Sequence, residues 1–192
     1  QLTGGAGNDQ LQGFGGTNNL FGGTGNDNFF LNGTNTNDTI DGGDGTDTVS
    51  YVSSNEGVTV DLTNCTGANG DAQGDRISNI ENIIGSNYDD IFTGNSSDNH
   101  IDGGAGEDTA SFSGDASGYR IIMDGDEITV TDKKVVYIVG GDNSDVDTDP
   151  EYRDEGTDTL TNIENIQFAD KSFTLDDFSH KKGSIIHINK GI

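Results

Sequence analysis

Gly4-Gly5-Ala6-Gly7-Asn8-Asp9-Gln10-Leu11-Gln12 is the stretch on which the reading turns. Two glycines, a variable residue, a glycine, a variable residue and an aspartate precede a variable-apolar-variable triplet. Close copies run from Gly22 to Phe30, Gly42 to Ser50 and Gly103 to Ser111. Weaker copies run from Gly13 to Phe21, Gly33 to Asp41, Gly85 to Thr93 and Gly94 to Asp102. Apart from a two-residue insertion, Leu31-Asn32, residues 4–50 keep one nine-residue register, and residues 85–111 do the same. Once the register is known, Gly70 to Ser78 and Arg153 to Thr161 also fit it. Each is followed by the same pentapeptide, Asn79-Ile80-Glu81-Asn82-Ile83 and Asn162-Ile163-Glu164-Asn165-Ile166. That higher-order repeat suggests two related super-units, 42–84 and 103–168. Each would be a turn of the stack, interrupted by an excursion that later rejoins it.

A short fixed period is the mark of a solenoid. The first six positions are glycines and short polar residues, suited to a tight turn with positive φ and close backbone approach. The last three form a short strand with its middle residue pointing inward. With two repeats per coil, the loops of repeats n and n+2 lie above each other on one edge. Leu11, Leu20, Phe29, Ile40 and Val49 then stack as a narrow core, continued by Phe92, Ile101 and Ala110.

That core is thin for the charge around it. The chain has 192 residues, 34 acidic against 9 basic, a net charge of −25, and only 29% apolar residues. Such a balance ordinarily leaves a chain disordered, because too little apolar surface is buried to offset the ordering entropy. A flexible Gly/Asp/Asn linker could carry one such motif by chance, but not so many units in register. Stacked carboxylates would repel unless a cation joined them. Calcium suits the task, because it takes six to eight oxygens from carboxylates and backbone carbonyls.

The remaining composition removes other classes. No basic stripe exists to meet a phosphate backbone, so nucleic acid is excluded as a partner. Cys65 stands alone, so the chain has neither an internal disulfide nor a cysteine metal site. No apolar run approaches the roughly 18 residues of a membrane span. Neither an initiator Met nor a signal peptide precedes Gln1, which reads as a fragment of a longer chain. His100, His180 and His187 lack the spacing of a zinc protease helix, and no GxSxG elbow appears. The chain is read as having no catalytic centre, and His100, the seventh residue of its repeat, as facing solvent.

These nonapeptides resemble the repeats-in-toxin (RTX) family, a calcium-binding parallel β-helix. The resemblance implies an all-β parallel β-roll with interrupting and capping antiparallel hairpins, exported by the type I pathway and folded by several external Ca2+ ions. It also implies a ligand set. One ion would take the carbonyls of Gly5 and Gly7 with Asp9, and those of Gly22 and Thr24 with Asp27. A second would join Gly23, Gly25 and Asp27 with Gly42, Asp44 and Asp47. On the other edge Phe14, Gly16 and Asn18 would face Gly33, Asn35 and Asp38, although Asn18 departs from the family's Asp and the insertion lengthens that coil. In the second block Ser86, Tyr88 and Asp90 would meet Gly103, Ala105 and Asp108. Asp75, Asn99 and Asp158 are further candidates without an assigned partner.

The organisation expected is a first roll block (1–50), an excursion rejoining the roll (51–84), a second block (85–111) and an antiparallel capping region with one degenerate repeat (112–192). Val58 to Leu62 reads as a strand. Tyr119 to Met123 and Glu127 to Val130 read as a hairpin around Asp124-Gly125. Val135 to Val139 adds a strand, and Ile166 to Phe168 with Ser172 to Leu175 a closing pair. The acidic loop Asp142 to Glu151 is expected to be solvated, with an extra calcium site at Asp145 to Asp149 as the alternative, Asp149-Pro150 a weak self-cleavage signal and the basic stretch from His180 a linker or terminal strand. The function expected is that of a calcium-binding module of a secreted, cell-surface bacterial adhesin, resembling the C-terminal regions of such proteins and monomeric, with any cell-surface or glycan ligand reached through the parent protein. The alternative is an accessory substrate-binding module of a secreted polysaccharide-modifying enzyme. Ice binding would need a longer array than Thr17, Thr24, Thr34 and Thr36 provide.

Overall fold

The computed structural model describes residues 1–33, 37–124, 127–132, 156–174 and 185–186. Each nonapeptide folds as a loop and a strand, and successive strands go to opposite sheets. In one sheet, β1 (Leu2–Ala6), β3 (Asn19–Thr24), β5 (Thr39–Asp44) and β9 (Arg76–Ser78) run parallel. In the facing sheet the parallel order is β2 (Gln10–Phe14), β4 (Asn28–Asn32), β6 (Thr48–Ser50), β10 (Asn82–Ile84), β12 (His100–Asp102) and β16 (Thr157–Thr161). The fold is a parallel β-roll. Its only helices among the described residues are two three-residue 3-10 turns.

The strand triplets alternate as the sequence predicts, with the middle residue buried. Pairing makes Leu11, Phe29, Val49, Ile83, Ile101 and Leu160 one file across one sheet. Leu20, Ile40 and Ile77 form the opposing file, resumed by Val60, Phe92, Ala110 and Ile166. The single stack read from the sequence is therefore two files facing each other. The Leu31-Asn32 insertion lengthens β4 by two residues that pair with Gly13 and Phe14, and Leu31 is buried. Extra length is absorbed along the strand, and Asp38 still reaches the Asn18 amide of the coil before.

The excursions fit between the coils. β7 (Thr59–Asp61) and β8 (Thr66–Ala68) enter the first sheet, β8 antiparallel both to β7 and to β9. From β7 a second parallel run continues through β11 (Ile91–Thr93), β13 (Thr109–Ser111) and β17 (Asn165–Gln167). One face of the roll is thus spliced by an antiparallel strand while the other runs on without a break.

At the carboxyl side, β14 (Tyr119–Asp124) and β15 (Glu127–Asp132) form the expected hairpin and extend the facing sheet from β16. Asp124 pairs with Glu127, so the connection is residues 125–126, one residue later than read from the sequence. β18 (Ser172–Thr174) closes antiparallel on β17, and β19 (Ile185–Ile186) on β14. Phe112, Tyr119, Phe168 and Phe173 pack with ring centroids 4.9–6.0 Å apart and plug this end. The strand expected at Val135–Val139, the acidic loop from Asp142, Asp149-Pro150, and the stretch from His180 apart from β19 lie outside the described residues.

Candidate metal centre

Strand register forces the sixth-position side chains into two ladders, one along each edge of the roll. On the first edge the rungs are Asp9, Asp27, Asp47, Glu81, Asn99 and Asp158, each immediately before a strand of one sheet, except Asp158, which lies within β16. From Asp27 onward, each acidic side chain reaches back to the preceding coil. Asp27 Oδ1 accepts the Asp9 amide at 2.8 Å, Asp47 Oδ1 the Asp27 amide at 2.7 Å, Glu81 Oε2 the Asp47 amide at 2.8 Å and Asp158 Oδ1 the Asn99 amide at 3.0 Å. On the second edge Asp38 caps Asn18, Asp75 caps Asp38, Asp90 caps Val58, Asp108 caps Asp90 and Glu164 caps Asp108, at 2.6–2.9 Å.

Those bonds use one oxygen of each accepting carboxylate, and the oxygen left over decides the chemistry. Asp9, Asp27, Asp47 and Asp108 each bury Oδ2 with no hydrogen-bond donor. Leaving a buried charged acceptor unsatisfied costs several kcal/mol, on the order of the whole margin of a small domain. No cation relieves it, because the one ion pair among the described residues, Lys171–Asp170, belongs to the loop between β17 and β18. The first-position glycines hold these oxygens in place. A methyl group on Gly22 would overlap both Asp27 Oδ2 and the Gly42 carbonyl of the next coil. The second and fourth positions need glycine for another reason, shown by φ of 117° at Gly23 and 116° at Gly25. Their backbones lie against the carbonyls of Gly5 and Gly7 in the coil before. The third-position carbonyls of Thr24 and Asp44 accept the Gly7 and Gly25 amides at 2.8 Å, keeping a second lone pair free.

Burial raises the pKa of Asp47, with Asp27 and Glu81 adding repulsion. Asp108 is pushed up to about 7, first by burial and then by Asp90 and Glu164. Among the described residues no three acidic, His or Cys side chains converge on one point. Each rung offers two carboxylates, and backbone carbonyls would supply the other oxygens. This donor set is all oxygen, flexible and doubly anionic, and it fits calcium.

Three rungs of the second edge, those of Asn18, Asp75 and Asp90, instead meet donors from the protein. Asn18 Nδ2 donates to the carbonyls of Phe14 (3.0 Å) and Gly16 (2.8 Å) and to Asp38 Oδ1 (3.1 Å). These are oxygens an ion would have taken there. Gly33 lies in the facing loop, while Asn35 is outside the described residues. Asp75 is the partner of Asp38, and the buried Tyr51 hydroxyl donates to its Oδ2 at 3.1 Å. Burial pushes Asp75 up to about 6 and the Tyr51 hydroxyl well above its usual range. Ser86 donates its amide to Asp90 Oδ2 (2.6 Å) and its hydroxyl to Asp90 Oδ1 (2.9 Å), while burial raises the Asp90 pKa. The carbonyls of Ser86 and Tyr88 do approach Gly104 and Gly106, as the register predicts, and the Ala105 amide donates to the former. Asn99 Oδ1 accepts the Asn95 amide of its own loop at 2.7 Å.

Comparison with known proteins agrees with this geometry. The family described as RTX calcium-binding nonapeptide repeat (4 copies) matches residues 1–29, 30–51 and 78–110. The repeats within those residues are RTX calcium-binding repeats. No curated protein matches the chain. An RTX repeat is a structural unit of secreted proteins that binds several Ca2+ ions, and it is not itself catalytic.

Two features of the roll escape the sequence reading. Glu81 and Glu164 occupy rungs, although each pentapeptide carries the signal: an acidic residue with an isoleucine two places on. The fifth position, read as variable, forms a ladder of its own. Asn8 Oδ1 accepts the Asn26 amide at 2.9 Å, and Asn26 Oδ1 the Thr46 amide at 3.1 Å. Asp89 and Asp98 do the same for Glu107 and Thr157, both at 2.9 Å.

Proposed function

We propose that the chain is the calcium-clamped folding module of a secreted bacterial surface adhesin. Asp9, Asp27 and Asp47 would hold two ions on the first edge, with the carbonyls of Gly5, Gly7, Gly22 and Thr24 at one and Gly23, Gly25, Gly42 and Asp44 at the other. The observation that carries this is the buried Oδ2 of each of these three aspartates, which has no donor. The reading leaves the Asn18, Asp75 and Asp90 rungs to Asn18, Tyr51 and Ser86. Extracellular modules bind calcium with Kd of roughly 0.1–1 mM, and at about tenfold excess each site adds roughly 1.4 kcal/mol. Several sites together are comparable to a domain's stability of about 5–15 kcal/mol. Where calcium is scarce the chain stays unfolded and threadable; outside the cell it coils.

Circular dichroism with calcium and with EDTA tests this: the β signal is expected only with calcium, and an equal signal in both overturns it. Asp27→Ala should raise the calcium midpoint more than Asp9→Ala, because Asp27 serves both ions. The adhesin reading is supported by antiparallel strands inserted among degenerate repeats. An accessory glycan-binding module would instead present a row of aromatic rings. Tyr51 and Tyr119 are buried, leaving Phe14 and Tyr88 as the exposed large aromatic side chains among the described residues. Specific glycan-array binding would favour the accessory module.

A further inference from the structure

We propose that the repeated pentapeptide builds one additional calcium site on each edge of the roll. Asp47 and Glu81, with the carbonyls of Gly43, Gly45 and Asn79, form one. Asp108 and Glu164, with the carbonyls of Gly104, Gly106 and Asn162, form the other. The inference rests on the calcium-clamp reading and extends it to a loop of different length and acid.

Four observations converge. Asp47 and Asp108 are completely buried, and Oδ2 of each has no donor. A methyl group on Gly42 would overlap the Asn79 carbonyl and meet Asp47 Oδ2 at 2.5 Å; on Gly103 it would overlap the Asn162 carbonyl and meet Asp108 Oδ2 at 2.6 Å. Gly22 stands in the same relation to Asp27 Oδ2 and the Gly42 carbonyl. Asn79 and Asn162 therefore present their carbonyls where a regular loop presents that of its first glycine. Their φ angles of 52° and 50° aim the carbonyls, and each amide is anchored at 2.7 Å, Asn79 to Asp41 and Asn162 to Asp102.

The glutamates complete the match. Glu81 Oε2 and Glu164 Oε2 accept the Asp47 and Asp108 amides, the bond a sixth-position aspartate makes in a regular rung. Here the loop has three residues between strands where a regular one has six, and the extra methylene of glutamate restores the lost reach. A metal-free turn would be expected to give the buried oxygen a donor, as Tyr51 does for Asp75 Oδ2 and Ser86 for Asp90 Oδ2. None is given at either place. Two carboxylates and three carbonyls provide at least five oxygens, and a second glutamate oxygen or water completes the shell calcium requires.

Glu81→Gln and Glu164→Gln keep an oxygen for the amide bond and remove the charge. Ions bound to the folded full-length chain at saturating calcium are counted by native mass spectrometry. Each variant is expected to carry one ion fewer than the parent, the double variant two fewer, and each midpoint of calcium-induced folding to rise several-fold. A double variant with the parent's full count would overturn the inference. The parent gives a measurement that needs no variant: at least four ions are expected, and two or fewer would also overturn it. The sites lie on opposite edges, so one variant that failed to fold would leave the other to decide. Asp27→Asn separates the two readings. If it loses ions and the glutamate variants do not, only this inference falls; if the parent binds no calcium, the clamp itself falls.

Discussion

At the scale of single residues, the roll uses two solutions to one electrostatic problem. Asn18 is the clearest case of the second, since its amide nitrogen touches two loop carbonyls and the Asp38 carboxylate. It behaves as a tethered, uncharged stand-in for a cation. Asn18→Asp is expected to remove the stand-in and add a carboxylate, so the variant binds one more calcium ion than the parent and melts lower in EDTA. An unchanged ion count by calorimetric titration would refute this. Asp75 gives a pH test. Its pKa rises from about 3.8 to about 6 on folding, chiefly through burial. A raised carboxylate pKa favours the fold below about pH 4, and that contribution is lost as pH rises through about 6. Asp75→Asn keeps an oxygen for the Asp38 amide and can donate to the Tyr51 hydroxyl. It should melt a few degrees above the parent at pH 7.5 and converge with it near pH 4. A lower melting temperature at pH 7.5 would mean that a cation holds this carboxylate after all. Spacing alone makes Asp9, Asp27 and Asp47 legible in the sequence. Which oxygen lacks a donor is not legible, because it depends on Tyr51 and Ser86, whose donation is a matter of three-dimensional reach.

At the scale of elements, the nine-residue period dictates strand, loop and pairing partner, and the alternating runs around Asp124 dictate the hairpin. The fate of the excursions is not encoded in any period. Nothing in Thr66 to Ala68 says that this strand will lie antiparallel between β7 and β9, since that depends on which sheet has a free edge when the chain returns. The pentapeptide hides its role for a different reason. Its loop is three residues shorter than the repeat, so its glutamate falls out of count while remaining in line. Its other structural weight is Ile80, and in the second copy Ile163, both 1% exposed. Ile80→Ala is expected to cost about 2–5 kcal/mol, by loss of transfer energy and the cavity left behind. His100→Ala, on an exposed strand position, should stay within about 0.5 kcal/mol of the parent. Thermal melts in saturating calcium compare the two, and equal costs would mean that the short loop does not pack as described.

For the molecule as a whole, a net charge of −25 and a core only two residues wide describe something closer to a counter-ion crystal than an oil drop. At the carboxyl side of the roll Phe112, Tyr119, Phe168 and Phe173 pack as one aromatic cluster. Every sixth-position bond also has a direction, because the later coil caps the amide of the earlier one. Stretched between handles in an optical trap, the module should therefore unravel from its amino-terminal coil in short, even steps, each a pair of rungs, while the aromatic end yields last and abruptly. Adding chelator midway should erase the staircase and leave only that final event. A roll built this way would lengthen under load before it let go, and would recoil in the order in which metal returned.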